Sequence, residues 1–323
     1  MGRYILKRIL FMIPVLFCVT ILIFTLMFFV PGDPASTIAG GMATQEDLEQ
    51  IREQLGFNEP YLVRLGAFLE TLFLHGSFGN SYIYGTDVMG ELIYRFPKTL
   101  IIAGLSILLC VLIGVPLGIR AAVRANTWED RLSMFVSMIG VSMPNFWLAL
   151  LLVLLFSLQL KLLPSSGSDT WKNFVLPVCA GALGGVAGMA RLSRSSMLEV
   201  IRADYVTTAR AKGVSEHNVI YHHALPNALI PIVTSVGSSF GGMLGGTVVV
   251  ETIFSIPGLG LYLINGINNR DYNVVQGSVI FIAFVFSVVM LLVDIAYAYV
   301  DPRIKAQYAS QGVSRRKKSK GVS

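Results

Sequence analysis

Six stretches of this 323-residue chain contain no Asp, Glu, Lys, Arg or His: 9–30, 99–119, 132–160, 173–190, 224–250 and 272–293. The shortest is 18 residues long and the longest 29. A helix rises about 1.5 Å per residue, so about 20 apolar residues cross a bilayer core about 30 Å thick. The pattern predicts an all-α membrane protein with six transmembrane helices. The fourth stretch is the least apolar, because Gly181, Gly184, Gly185 and Gly188 dilute it. Pro14, Pro116, Pro144, Pro177 and Pro231 fall inside the stretches. Neighbouring helices and Ser or Thr side chains satisfy the carbonyls that such prolines free in a membrane bundle. Gly181/Gly185, Gly184/Gly188, Gly237/Gly241/Gly245 and Gly242/Gly246 repeat at four-residue spacing. Small residues at that spacing predict close helix packing, within the chain or against a partner. The first stretch follows Arg3, Lys7 and Arg8, but it is longer than a signal-peptide core and lacks a small-x-small ending, so a retained helix is expected.

Two polar segments between the stretches are long. Segment 31–98 is acidic and predicts a small folded cap. Thr44 suits an N-cap before Gln45, Leu48, Ile51 and Leu55 share a helical face, and Gly56 suits a stop. A second helix is expected over 61–74. In the segment 191–223, Met197, Leu198, Ile201, Tyr205 and Ala209 favour one helical face. Gly213 suits a left-handed helix end, Ser215 an N-cap for a second short helix carrying Val219 and Ile220, and Pro226 the start of the next span. That short helix is suited to a protein partner or to the membrane interface.

Composition agrees with the pattern: 54% of residues are hydrophobic and 14% charged, against about 25% charged in soluble domains. Charge adds orientation. If both termini are cytoplasmic, 18 of the 25 Lys and Arg lie inside, but only 6 of the 19 acids. The positive-inside tendency therefore predicts an N-in, C-in topology, with segment 31–98 outside. The basic residues are spread over four inner segments, which argues against nucleic acid as partner. The tail 309–323, with Arg315, Arg316, Lys317, Lys318 and Lys320, suits contact with anionic lipid or a solubilising, topology-setting role.

Chemistry is sparse. No Gly-Lys pair occurs, so there is no Walker A phosphate loop. His75, His217, His222 and His223 all lie outside the six stretches, which argues against a membrane-embedded hydrolase or metal site. Cys18, Cys110 and Cys179 read as small buried hydrophobes. Asp294 is an acid within a span. Its structural reading is an ion pair with an inner-loop arginine such as Arg191 or Arg194, and its functional reading a proton relay. Glu251 ends the fifth span at the outer surface and reads as structural. These features leave two main function classes: the membrane half of a transporter energised by another chain, or a self-contained secondary transporter. A membrane enzyme lacks its nucleophile and base.

The stretch 204–213, Asp-Tyr-Val-Thr-Thr-Ala-Arg-Ala-Lys-Gly, followed by His223-Ala224-Leu225-Pro226, resembles the coupling loop of ATP-binding-cassette importer permeases. The general motif is E-A-A-x-x-x-G, nine residues, then I-x-L-P. Thr207, Thr208 and Ala209 fall on E-A-A, Gly213 on the glycine, and Leu225-Pro226 on L-P; the glutamate and first alanine are missing. The variant is similar to the dipeptide, oligopeptide, glutathione and nickel branch. Segments 4–14 with 31–34, 249–260 and 294–303 also resemble that branch.

The resemblance implies a type I importer permease fold with an external domain between helices 1 and 2. It divides the chain into a first helix (1–30), a cap (31–98), a five-helix core (99–308) with coupling loop 191–226, and the tail. It implies a bacterial or archaeal plasma membrane and a solute that is a di- or oligopeptide, with nickel chelate or glutathione as alternatives. Implied partners are a second, non-identical permease, two ATPase subunits that bind ATP and magnesium, and an extracytoplasmic binding protein. Thr207, Thr208, Ala209, Gly213, Ser215, Glu216, Val219, Leu225 and Pro226 would couple to the ATPase. Glu251, Asp294 and Asp301 are structural or gating candidates.

Overall fold

The computed structural model describes residues 2–30, 32, 34–39 and 43–300, with side chains between 5 and 295. Asp301 and the tail 309–323 lie outside the described residues. The helices are α1 (Gly2–Phe29), α2 (Pro34–Ala39), α3 (Gln45–Gln54), α4 (Tyr61–His75), α5 (Val88–Val123), α6 (Trp128–Ser142), α7 (Asn145–Gln159), α8 (Lys172–Ile201), α9 (Asp204–Ala211), α10 (Glu216–Ile253), α11 (Leu259–Asn268) and α12 (Tyr272–Val300). Among the described residues there is no strand beyond an isolated bridge between Asn80 and Asp87.

Helices α1, α5, α8, α10 and α12 are each long and apolar enough to cross a membrane. The sixth span is not the single helix expected over 132–160. That stretch forms the pair α6 and α7, bent by 99° and together long and apolar enough for a sixth span. Pro144 lacks an N–H, and the residue before a proline is driven out of the helical region. Met143 accordingly has ψ 127°. Pro14, Pro97, Pro177 and Pro231 stay inside continuous helices. Two π-helical turns, Cys110–Gly114 and Val219–Ala224, precede Pro116 and Pro226. Each extra residue shifts the carbonyl that the proline ring would otherwise strike.

Helix α8 is the centre of the bundle and packs on α5, α6, α7 and α10. The glycine rows explain part of this. A Cβ at Gly181 would lie 2.7 Å from Ser106 Oγ, and one at Gly185 would strike Cys110 Sγ, so both face α5. Gly237 and Gly241 back onto Val293 and Phe286 of α12. Gly188, Gly242, Gly245 and Gly246 have open space around them instead. Helix α1 packs on α12, and Arg8 Nη1 lies 2.9 Å from Asp294 Oδ2. The expected pairing of Asp294 with Arg191 or Arg194 is thus corrected. The α1–α12 packing brings Arg8 to it, while Arg194 pairs with Asp130 on α6 at 2.5 Å and 2.7 Å.

The 31–98 segment is bound to the bundle by aromatic contacts. Tyr61 Oη lies 2.7 Å from Thr25 Oγ1, and the Arg64 guanidinium sits over the Phe28 and Phe57 rings at 5.2 and 5.1 Å. Helix α3 starts on Thr44 as expected, in a capping box with Asp47. Helix α5 starts at Val88, eleven residues before the hydrophobic stretch, because Asp87 caps it through Gly90 N–H at 2.7 Å.

Candidate functional site

At one end of the bundle the chain turns from α8 through α9 into α10. The single amphipathic helix expected from Met197 to Ala209 is interrupted at Arg202-Ala203, where Ala203 is extended at ψ 148°. The apolar face survives the break in part: Tyr205 is exposed, and Val206 is buried in its place. Met197, Val206, Ala209, Val219, Ile220 and Ala224 are buried together against Val115, Ile119 and Ala122 of α5 and Met189 of α8. At about 25 cal/mol per Å² of apolar surface, each buried Met, Val or Ile among these contributes about 1.5–3 kcal/mol. The turn is therefore rooted in the two most central helices.

The end of α9 shows why Gly213 is needed. Gly213 has φ +78°, and its N–H reaches the Arg210 carbonyl at 2.9 Å. The Val214 N–H reaches the Ala209 carbonyl at 3.3 Å. These two bonds make a Schellman motif, which satisfies the last carbonyls of a helix and favours a residue without Cβ at the left-handed position. The space around Gly213 is open, so the requirement is conformational. Ser215 stands at the N-cap of α10, but its side chain makes no cap bond, a departure from the expectation; its carbonyl accepts from Val219 N at 2.9 Å. Helix α10 then runs through the π turn into the long span without stopping. The short helix is thus a rigid extension of a membrane helix.

The residues expected to couple to a partner separate by face. Thr207, Thr208, Gly213, Ser215, Glu216 and Pro226 are exposed, Leu225 is half-buried, and Ala209 and Val219 are buried. Only the first group is available to a partner; Ala209 and Val219 hold the turn down. Sequence reasoning missed the Arg210 clamp. Its Nε and Nη2 donate to Glu216 Oε2 and Oε1 at 3.0 and 2.7 Å, bridging α9 and α10 across the glycine turn. Opposite charges flanking Gly213 were the available signal.

At the opposite end, Glu251 is fully buried, and not at the surface where the sequence reading put it. Its Oε1 accepts from the Thr99 hydroxyl at 2.6 Å, and its Oε2 from Leu261 N at 3.0 Å. Thr99 Oγ1 in turn accepts from Leu259 N at 2.8 Å. The carboxylate thereby joins α5 and α10 and occupies the N-terminus of α11, where backbone N–H groups lack partners and negative charge is favoured. Beyond α11, Asp271 is buried and accepts from the Ser81 hydroxyl at 2.6 Å. Tyr262 is buried here and Tyr82 partly so, and burial pushes each phenol up to about 12; the Tyr82 hydroxyl donates to Asn273 Oδ1 at 3.2 Å.

Comparison with known proteins places the chain. Residues 114–306 match the family described as binding-protein-dependent transport system inner membrane component, and residues 1–103 its N-terminal family. The dipeptide transport system permease protein DppB of Alkalihalophilus pseudofirmus is 40% identical over 333 residues, covering 94% of this chain and 100% of that protein. The glutathione transport system permease protein GsiC of Salmonella paratyphi A is 42% identical over 305 residues, covering 94% and 99%. That of Escherichia coli K12 is 41% identical over the same length. Among solved structures, the MetNI methionine ABC transporter in an inward-facing conformation superposes with a TM-score of 0.56 at 18% identity, covering 66% of this chain and 97% of that one. It shares the fold.

Proposed function

The chain belongs to the binding-protein-dependent transport system inner membrane components, and from that premise we propose that it imports small peptides with energy supplied by separate ATPase subunits. It is an importer permease of the ATP-binding-cassette class, a multi-pass membrane subunit. Beyond this, the proposal assigns both termini and the Gly213 turn to the cytoplasm, following the excess of Lys and Arg in those segments. Two ATPase subunits bind ATP and magnesium, a second, non-identical permease completes the pathway, and a binding protein delivers solute to the 31–98 face. This chain itself has no catalytic role.

The observation that carries the coupling proposal is the Gly213 turn. Its outer side, Thr207, Thr208, Ser215 and Glu216, is exposed to a partner, while Val206, Val219 and Ile220 are buried on α5 and α8. A push on the exposed side is delivered to the bundle's centre. Glu251 and the Arg8–Asp294 pair are structural groups that hold α11 and α1 in place. A peptide solute is favoured by the dipeptide and glutathione permeases among the relatives, since glutathione is itself a tripeptide.

Reconstitution in proteoliposomes tests the proposal. Uptake of radiolabelled Ala-Ala should require ATP, the ATPase subunits, the second permease and the binding protein together. Flux through this chain alone would instead identify a secondary transporter.

A further inference from the structure

Between the start of α5 and one face of α11 lies a cavity of about 230 Å³ at the end of the bundle assigned above to the outside. Helix α11 contributes Tyr262 and Asn265, and its C-cap Asn269 continues the same helical spacing and face. Helix α5 contributes Glu91 and Arg95, one turn apart. Arg95 Nη2 lies 2.7 Å from Glu91 Oε2, and its guanidinium stacks over the Tyr262 ring at 4.6 Å. Both side chains are largely buried, at 22% and 27% exposure, so screening is reduced. The Tyr262 hydroxyl, in a side chain only 4% exposed, has no hydrogen-bond partner among the described residues. A buried polar atom without a partner calls for an explanation, and a ligand is one.

We infer that this cavity is a receiving site on the permease for a zwitterionic dipeptide, with the ammonium against Glu91, the carboxylate against Arg95 and the peptide bond between the Asn265 and Asn269 amides. The inference rests on the peptide reading of the importer and deepens it. Three features of the cavity select this chemistry. A preformed carboxylate–guanidinium pair is complementary to an ammonium and a carboxylate held on one small molecule. The pair is closed here, with its charged atoms 2.7 Å apart; the termini of a dipeptide, at most about 7 Å apart, enter by opening it, each member exchanging its helix partner for the ligand. The volume also falls below the roughly 300–1,000 Å³ of sites for drug-sized ligands, which limits the occupant to about two residues. A solute with one charge would leave its counterpart without a new partner, so the site discriminates as well as binds.

The test uses the assembled importer in lipid nanodiscs without its binding protein, and saturation-transfer NMR of Ala-Ala. The wild type should show transfer, N-acetyl-Ala-Ala should show at least fivefold less, and Glu91→Gln and Asn269→Ala should each lower the Ala-Ala signal at least fivefold. Basal ATP hydrolysis should be unchanged in both variants; the thermal midpoint of the complex should be unchanged in Asn269→Ala and lower in Glu91→Gln, which loses its ion pair with Arg95, so the Asn269 variant separates a binding loss from a folding loss. No transfer in the wild type, or an undiminished signal in both variants, would overturn the site. Normal peptide uptake alongside that result would leave the peptide reading standing; an importer that moves no di- or tripeptide would overturn the reading itself.

Discussion

Gly213 and Gly258 both mark places where the chain leaves a helix and starts another, at opposite ends of the bundle, and they need glycine for different reasons. At Gly213 the backbone is left-handed and the surroundings are open. At Gly258 the backbone is extended, with φ −97° and ψ −170°, which any residue adopts. What forbids a side chain there is contact: a Cβ would lie 2.5 Å from both oxygens of the buried Glu251 carboxylate. Gly260 is similar, with a Cβ 3.0 Å from Glu251 Oε2 and 2.5 Å from the Val248 Cα. One end is shaped by torsion and faces solvent; the other is shaped by packing around a buried charge. The first tolerates change on its exposed side, and the second has no slack.

The largest effect that follows is at Gly258. Gly258→Ala should displace the Glu251 carboxylate from Thr99 and Leu261. Overpacking costs typically about 1–3 kcal/mol, and unpairing buried acceptors and donors adds about 1–3 kcal/mol more. The variant should unfold several kcal/mol more easily in a detergent or thermal titration of the purified complex. If it unfolds like the wild type, the glycine requirement is not steric and the contrast with Gly213 collapses.

The sequence exposed these two ends unequally. Gly213 as a helix end, and most of the apolar positions beneath it, could be read from turn chemistry and periodicity, because a helix end is a local event; the break at Arg202-Ala203 could not. The 61–74 helix and the Thr44 cap were legible for the same reason, and α4 and α3 stand there. Glu251 was not legible as buried. Its partners Thr99 and Leu261 come from a helix 152 residues away and from the next element. The Arg8–Asp294 pair joins the first helix to the last; a shared inner side, the ground for expecting Arg191 or Arg194, does not say which helices pack together. Pro144 breaks its span while Pro14 and Pro177 do not. Apolar patterning alone does not separate these prolines, since the outcome depends on which neighbouring helices hold the two sides of the break.

The middle prediction concerns Gly213. A left-handed conformation costs a residue with Cβ about 1–2 kcal/mol, and Asn or Asp less. Gly213→Ala should therefore lower stability by about 1 kcal/mol, and Gly213→Asn by less than that, in the same unfolding assay. Because nothing crowds the site, a larger side chain such as Leu should cost little more in stability than Ala. Uptake should nevertheless fall steeply with Leu, since bulk would project from the exposed coupling face. Equal uptake in the Ala and Leu variants would show that this surface carries no partner.

The smallest effect sharpens the same comparison from the solvent side. Arg210 and Glu216 form a bidentate pair, yet their side chains are 37% and 58% exposed. Exposed pairs contribute about 0.2–1 kcal/mol, and salt screens them. A double-mutant cycle of Arg210→Ala and Glu216→Ala should give a coupling near the lower half of that range, shrinking as salt is raised from 0.05 to about 0.5 M. The buried Glu251 contacts at the other end should show no such salt dependence, because burial rather than screening sets their strength. A coupling above about 2 kcal/mol, or one indifferent to salt, would mean that the clamp and not the Schellman turn fixes the angle between α9 and α10.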